Sequence, residues 1–198
     1  MIGHPALRRL AIAVGAALAL LLLVGLARFA LARPVDEVRF PRSAAPSAGR
    51  VNLAHHARGP IVRVSSSDSN RRHHPGYLVD GHAFARETEK WASTYGDEKP
   101  WLEVELDGPH DLDEVVLELP SSHREPANLD LRRYRIDCFR GPAASSAVAS
   151  LEVLANIDGR PRHPIACPQT SRVRVTFALE PNTPLDVARV YEVEVWGR

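Results

Sequence analysis

Residues 66–77 read SSDSNRRHHPGY and form the densest run of side chains able to do chemistry in this chain. Arg71, Arg72, His73, His74 and Tyr77 offer planar donors and an aromatic face. That combination suits a hydroxylated ring, which needs a flat apolar surface against its C–H face and planar groups for its hydroxyls. A second run, residues 121–128 (SSHREPAN), adds His123, Arg124 and Asn128 in another polar loop. For each of these residues the competing reading is a solvated surface loop.

Other chemistries lack their residues. Nine histidines include the adjacent pairs His55-His56 and His73-His74, whose side chains diverge if the backbone is extended. No His-x-His, His-x-x-x-His or Cys-x-x-Cys spacing supports a transition-metal site. There is no Gly-x-Ser-x-Gly elbow and no phosphate-cradling glycine loop. Glu103 and Glu105 share the polar face of a strand, where solvation is the expectation. The chain reads as non-enzymatic.

The elements that must carry the two loops are strands. Residues 101–106 alternate, with Leu102, Val104 and Leu106 on one face and Glu103 and Glu105 on the other. Residues 172–177 place Val173, Val175 and Phe177 together, 133–138 place Tyr134, Ile136 and Cys138 together, and 191–195 alternate likewise. Residues 51–54, 61–65, 113–119 and 151–154 are further short strands. Seven or eight strands separated by Gly, Pro and Asp turns predict an antiparallel sandwich. Sixteen Pro and 12 Gly agree with that and exclude a coiled coil or helical repeat.

The formal charge of +1 conceals two unlike parts. Residues 1–50 hold seven Arg against two acids, and residues 51–198 hold 18 Lys+Arg against 22 Asp+Glu. The larger part is mildly acidic, which argues against nucleic acid or another polyphosphate as its partner. Within the first part, residues 10–27 (LAIAVGAALALLLLVGLA) carry no charge, near the minimum for a transmembrane helix. Arg8 and Arg9 precede them, and Ala30-Leu31-Ala32 resembles a cleavage site, so residues 1–32 read as a signal-anchor or a signal peptide. The length of the apolar run favours an uncleaved single-pass anchor with the C-terminal domain outside the cytoplasm. Secretion after cleavage near Ala32 is the alternative. Charge bias alone points the other way, because Arg28, Arg33, Arg39 and Arg42 follow the run. Residues 33–50, rich in Pro, Ala, Ser and Arg, read as a tether, and 51–198 as the folded domain.

The order of motifs along residues 51–197 is more specific than the strand count. Val51-Asn-Leu-Ala54 is followed by a Ser-rich strand, then Tyr77-Leu-Val-Asp-Gly81, Trp91 and Trp101-Leu-Glu-Val-Glu-Leu-Asp-Gly108. Asp111-Leu-Asp-Glu-Val-Val-Leu117, Tyr134-Arg-Ile136 and Tyr191-Glu-Val-Glu-Val-Trp-Gly197 complete the series. This series resembles the discoidin domain, also called the coagulation-factor type C domain, of the galactose-binding-like superfamily that includes bacterial carbohydrate-binding modules. The resemblance implies an eight-stranded antiparallel jelly-roll β-sandwich that binds ligands, without catalysis, through loops at one end.

On that basis the chain is expected to be a membrane-tethered carbohydrate-binding module contacting envelope or extracellular polysaccharide. Arg71, His73, His74, Tyr77, His123, Arg124 and Asn128 are its candidate contacts. The rival reading is a docking module for an envelope or polysaccharide-assembly protein. The resemblance also implies a structural calcium beside the Asp-Gly turn, with Asp80 and Glu192 at the matching positions. The family's Thr two residues before the Trp is Glu89 here, which either supplies a charged ligand or marks loss of the metal. Trp91 and Trp101 are expected to pack rather than to bind. Cys138 and Cys167 would close a loop of about 30 residues as a disulfide if the domain is exported. The alternative is a buried free thiol, since Cys138 faces inward and Cys167 falls in a Pro-bracketed stretch read as a turn.

Overall fold

Period-2 alternation becomes sheet in a computed structural model of the chain, which describes residues 36–43, 49–70, 72–81, 89–179 and 187–198. The chain divides after Pro34, and Val35–Arg198 forms one unit. The apolar stretch 10–27 lies outside the described residues, among which no helix is long and apolar enough to cross a membrane.

Ten strands occur among the described residues: β1 (Asp36–Arg39), β2 (Val51–Asn52), β3 (Ile61–Val64), β4 (Trp91–Ala92), β5 (Trp101–Glu118), β6 (Tyr134–Phe139), β7 (Ala149–Val153), β8 (Arg162–Phe177), β9 (Arg189–Val190) and β10 (Glu192–Gly197). Helical structure there is confined to four short 3-10 turns, His56–Arg58, Pro75–Val79, Pro120–His123 and Ala127–Leu129. All pairings are antiparallel; eight strands form the main sheet, and β4 and β9 pair separately.

Two long strands make this sheet a sandwich. The first half of β5 pairs with β3 and with Arg172–Thr176 of β8, whereas its second half pairs with β10 and with Arg162–Cys167. The register breaks between Glu105 and Glu114, where both strands bend from one layer into the other. One layer is therefore ordered β1-β3-β5-β8-β6-β7 and the other β2-β10-β5-β8. The bulges also switch parity: Leu102, Val104 and Leu106 point inward before the bend, and Val115, Leu117 and Leu119 after it. Residues 101–106 and 113–119, read from sequence as two strands, are thus one.

Val62, Val64, Leu102, Val104, Ile136, Val173 and Val175 of the first layer share a core with Val115, Leu117, Val193 and Val195 of the second. Each is 0% exposed and contributes roughly 1.5–3 kcal/mol by leaving water. Two features depart from the sequence reading. Asp36–Arg39, inside the expected tether, pairs with all four residues of β3 as an edge strand. The stretch around Cys167, expected as a turn, is the first half of β8. Pro164 and Pro168 are tolerated there because this half pairs with β5 on one side only.

Cys167 accordingly faces the core, 1% exposed, and is disulfide-bonded to the fully buried Cys138. Of the two alternatives left open by the sequence, the structure has the bridge. It joins β6 of one layer to the β8 segment of the other. Glu103 also departs from expectation. It is 3% exposed rather than solvated, because Arg172 and Arg174 each reach its Oε2 at 2.8 Å and Arg63 lies 3.5 Å from Oε1. Glu105 keeps partial exposure and pairs with Arg63 at 2.7 Å.

Candidate functional site

The double bend brings both ends of β8 to the same place. Tyr134 pairs in register with Phe177 at one end of β8, and its hydroxyl lies 2.8 Å from His163 Nε2 at the other. Residues 65–70, 72–81, 89–100, 119–133 and 187–191 consequently gather at one end of the sandwich. Backbone bonds tie them: Asp68 N–H donates to Ala92 O (2.9 Å), Lys90 to Arg72 (3.0 Å), Ser93 to Ala188 (3.0 Å) and Tyr191 to Glu118 (2.8 Å). Beneath them Trp91 is fully buried, its Nε1 donating to Ser66 O at 3.0 Å and its ring 6.1 Å from that of Phe177. Trp101 is half-buried under the Arg174 guanidinium, 4.4 Å from the ring centroid.

The histidine loop ends in the Pro75–Val79 turn, which the His74 ring caps by accepting from Gly76 N–H at 3.0 Å. His74 meets the Tyr77 ring edge-on at 6.1 Å. His73 Nδ1 sits 3.2 Å from Asp68 Oδ2. The Asp68 carboxyl is held below the usual range, first by the Asn70 N–H and then by His73 and Arg189. Arg71 lies outside the described residues.

The second loop divides its candidates. Arg124 is exposed at the end of the Pro120–His123 turn, in left-handed backbone (φ 66°), and Asn128 is exposed on the next turn. His123 is buried: its ring stacks on Tyr191 at 3.8 Å and 7°, with Nε2 3.5 Å from Glu118 Oε2. Burial pushes the His123 pKa down. It underpins the loop rather than facing out.

Lys90 links the two loops, a role that no sequence motif marked. Its N–H bonds Arg72, and its ammonium donates to Glu125 and, at 3.1 Å, to the Tyr191 hydroxyl, which itself donates to Glu125. Arg124 and Asn128 are thereby held relative to the histidine loop.

Tyr95 was also missed by sequence reading and, among the described residues, is the most exposed of Phe, Tyr and Trp, 79% exposed. It occupies a turn closed by Asp97 N–H to Thr94 O (3.2 Å), with Gly96 at φ +79° in the position where only a residue tolerant of left-handed backbone fits. The turn is pinned from below. Asp97 Oδ2 accepts from both Ser65 and Ser66 hydroxyls at 2.6 Å, and Ser66 Oγ accepts from Thr94 N–H at 3.1 Å. The dipeptide Gly96-Asp97 was the available signal, a turn that sets the preceding Tyr outward.

The calcium candidates divide as well. Gly81 N–H donates to Glu192 Oε1 at 3.2 Å, so the Asp-Gly turn meets the closing strand through a direct hydrogen bond. Glu192 is 1% exposed, and among the described residues its Oε2 has no hydrogen-bond partner. Burial, with the Asp80 charge second, pushes its pKa up to about 9. Among the described residues no three His, Cys, Asp or Glu side chains are grouped to hold a metal, so Glu89 does not complete such a set with Asp80 and Glu192.

No protein-family model matches the sequence, and no curated protein does. Solved structures do match the fold. The family 32 carbohydrate-binding module of Streptococcus pneumoniae EndoD superposes with a TM-score of 0.60 at 16% identity, over 75% of this chain and 100% of that one. The lectin domain of lectinolysin, complexed with Lewis B antigen, gives 0.60 at 16%, over 75% and 97%. An F5/8 type C domain from Bacteroides fragilis gives 0.52 at 16%, over 70% and 91%. The chain therefore has the galactose-binding-like antiparallel β-sandwich fold of family 32 carbohydrate-binding modules and F5/8 type C (discoidin) domains.

Proposed function

We propose that this chain is a non-catalytic, membrane-tethered module whose loop end binds glycan of the envelope or extracellular polysaccharide. The observation that carries the reading is Tyr95, an exposed aromatic ring on a turn pinned to the scaffold. A rigid ring offers its face to the C–H side of a sugar at little entropic cost. Arg124, Asn128 and His73, at the same end, supply directional donors. The disulfide supports placement outside the cytoplasm, because such bonds persist in oxidising compartments. Residues 10–27 would then be the anchor.

The test is a glycan array probed with the full chain, repeated with Tyr95→Ala and Arg124→Ala. Binding to at least one glycan, weakened about tenfold or more by either change, is the expected result. A wild-type chain that binds no glycan overturns the reading. It would leave the docking alternative, which the exposed Leu154 (60%) and Ile157 (94%) between β7 and β8 favour.

A structural calcium belongs to the same proposal. Glu192 Oε2, buried without a hydrogen-bond partner among the described residues and close to the Asp80 charge, is the kind of hard oxygen a calcium ion would satisfy. Asp80 and Glu192 would hold the ion together with backbone carbonyls, tying the Asp-Gly turn to β10. Calcium at about a hundred times its Kd stabilises by about 2.7 kcal/mol, a rise in Tm of roughly 5–10 °C for a domain of this size. Glu192→Gln should abolish that rise. A wild-type melting temperature indifferent to calcium and to chelator would end the calcium idea.

A further inference from the structure

The chain enters the folded domain at the loop end. β1 runs antiparallel to β3, with Asp36 opposite Val64 and Arg39 opposite Ile61. Val64 closes β3 just before Ser65 and Ser66, whose hydroxyls pin the Tyr95 turn through Asp97. Asp36 therefore stands at the rim of the loops, and β1 carries the chain away from them. Beyond Arg39, Phe40 N–H donates to Pro60 O at 3.2 Å and Ser43 N–H to Ala57 O at 2.8 Å. The opposite end of the sandwich holds the turn between β6 and β7, because Tyr134 pairs with Phe177 at the loop end and Phe139 with Arg172 away from it. Arg198 lies at that opposite end too, its N–H donating to Asp111 O at 3.1 Å beside the bend of β5.

Covalent geometry limits where the loop end can be. Eight residues, 28–35, separate the apolar run 10–27 from Asp36. Fully extended they reach about 30 Å, and any other conformation is shorter. With residues 10–27 as the anchor proposed above, that run fills a hydrocarbon core of about 30 Å, and roughly 5–7 Å of the tether crosses the head-group layer. About 25 Å is then left above the head groups. The six residues of β6 alone measure about 20 Å, and the loops and turns extend the sandwich at both ends. A tether of that reach leaves no room for the sandwich to stand between its own loop end and the bilayer. The loops cannot be outermost.

We propose, as an extension of the anchored glycan-binding reading, that the loop end faces the chain's own membrane and that its partner is the saccharide head group of a lipid in that membrane. Tyr95, Arg124 and Asn128 then meet a sugar presented from the bilayer. Polymer on the far side of the sandwich is out of reach of these loops. Confinement by a short tether raises the effective concentration of a lipid-linked sugar to about the millimolar range, so a weak contact with a single ring suffices.

The test uses the full chain in phospholipid nanodiscs. Both cysteines are bridged, so one introduced cysteine carries a single donor dye, Glu98→Cys at the loop end or Ala143→Cys in the turn between β6 and β7. Energy transfer to an acceptor lipid should be about twofold or more stronger from position 98 than from 143, and about thirty Gly/Ser residues inserted after Arg33 should erase the difference. Equal transfer from the two positions, or stronger transfer from 143, would overturn the orientation. The best-bound glycan of the array, coupled to phosphatidylethanolamine, is then the probe, read by dye emission at position 98. In the chain's own disc it should bind at a bulk concentration about a hundredfold below that needed from separate discs, a gain lost in Tyr95→Ala. Equal binding from the same and from separate discs would overturn the partner. Energy transfer needs no sugar, so a chain that binds no array glycan fails the earlier reading while the orientation is still measured, and the two failures are told apart.

Discussion

Replacing Cys138 and Cys167 together by Ala lowers the stability of the domain by about 3–4 kcal/mol and its Tm by on the order of 10 °C. Both sulfurs are buried and the bridged residues are 29 apart in sequence. Without the bond, the unfolded chain regains the freedom of that loop while the folded state loses little packing, since two alanines leave only small voids. The bond also joins the two layers at the bend of β8, where the register is already interrupted. Thermal melts of wild type and double variant give the shift. Thiol titration of the unfolded, unreduced chain should find no free sulfhydryl. A double variant that melts with the wild type would mean that the layers hold together by packing alone.

Glu103→Ala should cost as much or more, about 3–5 kcal/mol, because it strands buried positive charge. Arg172 is 8% exposed, and Glu103 is the carboxylate it pairs with, at 2.8 Å. Its guanidinium stays in place through Ala144 O and the Phe139 ring, 4.1 Å away, so it cannot turn to water freely. Arg174 loses the same partner but is more exposed, and contributes less. The diagnostic comparison is the double change Glu103→Met with Arg172→Met, which removes both charges and should recover much of the loss. If Glu103→Ala and the double variant are equally damaging, the cost is one of shape rather than of charge. If Glu103→Ala shifts Tm by under about 2 °C, the cluster is worth no more than surface pairs.

Much of the scaffold is legible in the chain. Alternation of apolar with polar residues locates seven of the ten strands, because a half-buried sheet imposes a period of two on hydrophobicity. Trp91 is legible too: its place after the Asp-Gly turn matches its burial under Ser66. What alternation hides is continuity. Residues 107–112 break the pattern, and only the pairing with β8 shows that β5 runs through them. The same limit concealed the first half of β8, where two prolines look like turn residues until it is seen that the strand pairs on one side.

The site was less legible than the scaffold. His73, His74, Arg124 and Asn128 lie in loops at the expected end, yet His123, similar to them as a residue type, is stacked beneath. Nothing local distinguishes them, since exposure depends on Tyr191, almost seventy residues away. Tyr95 and Lys90 escaped notice for the same reason: the pinning of one and the bridging by the other exist only between segments distant in sequence.

By itself, then, the sequence determined an apolar stretch at 10–27 and a β-rich domain with polar loops, because hydrophobic period and turn residues are local properties. Only the tertiary structure decided that Cys138 meets Cys167, that Glu103 is buried under arginines, that Asp36 pairs with Val64 and that Tyr95 faces outward. Those facts depend on which strands become neighbours. Pairing is settled by burial of the whole core at once, and no short window of residues contains it.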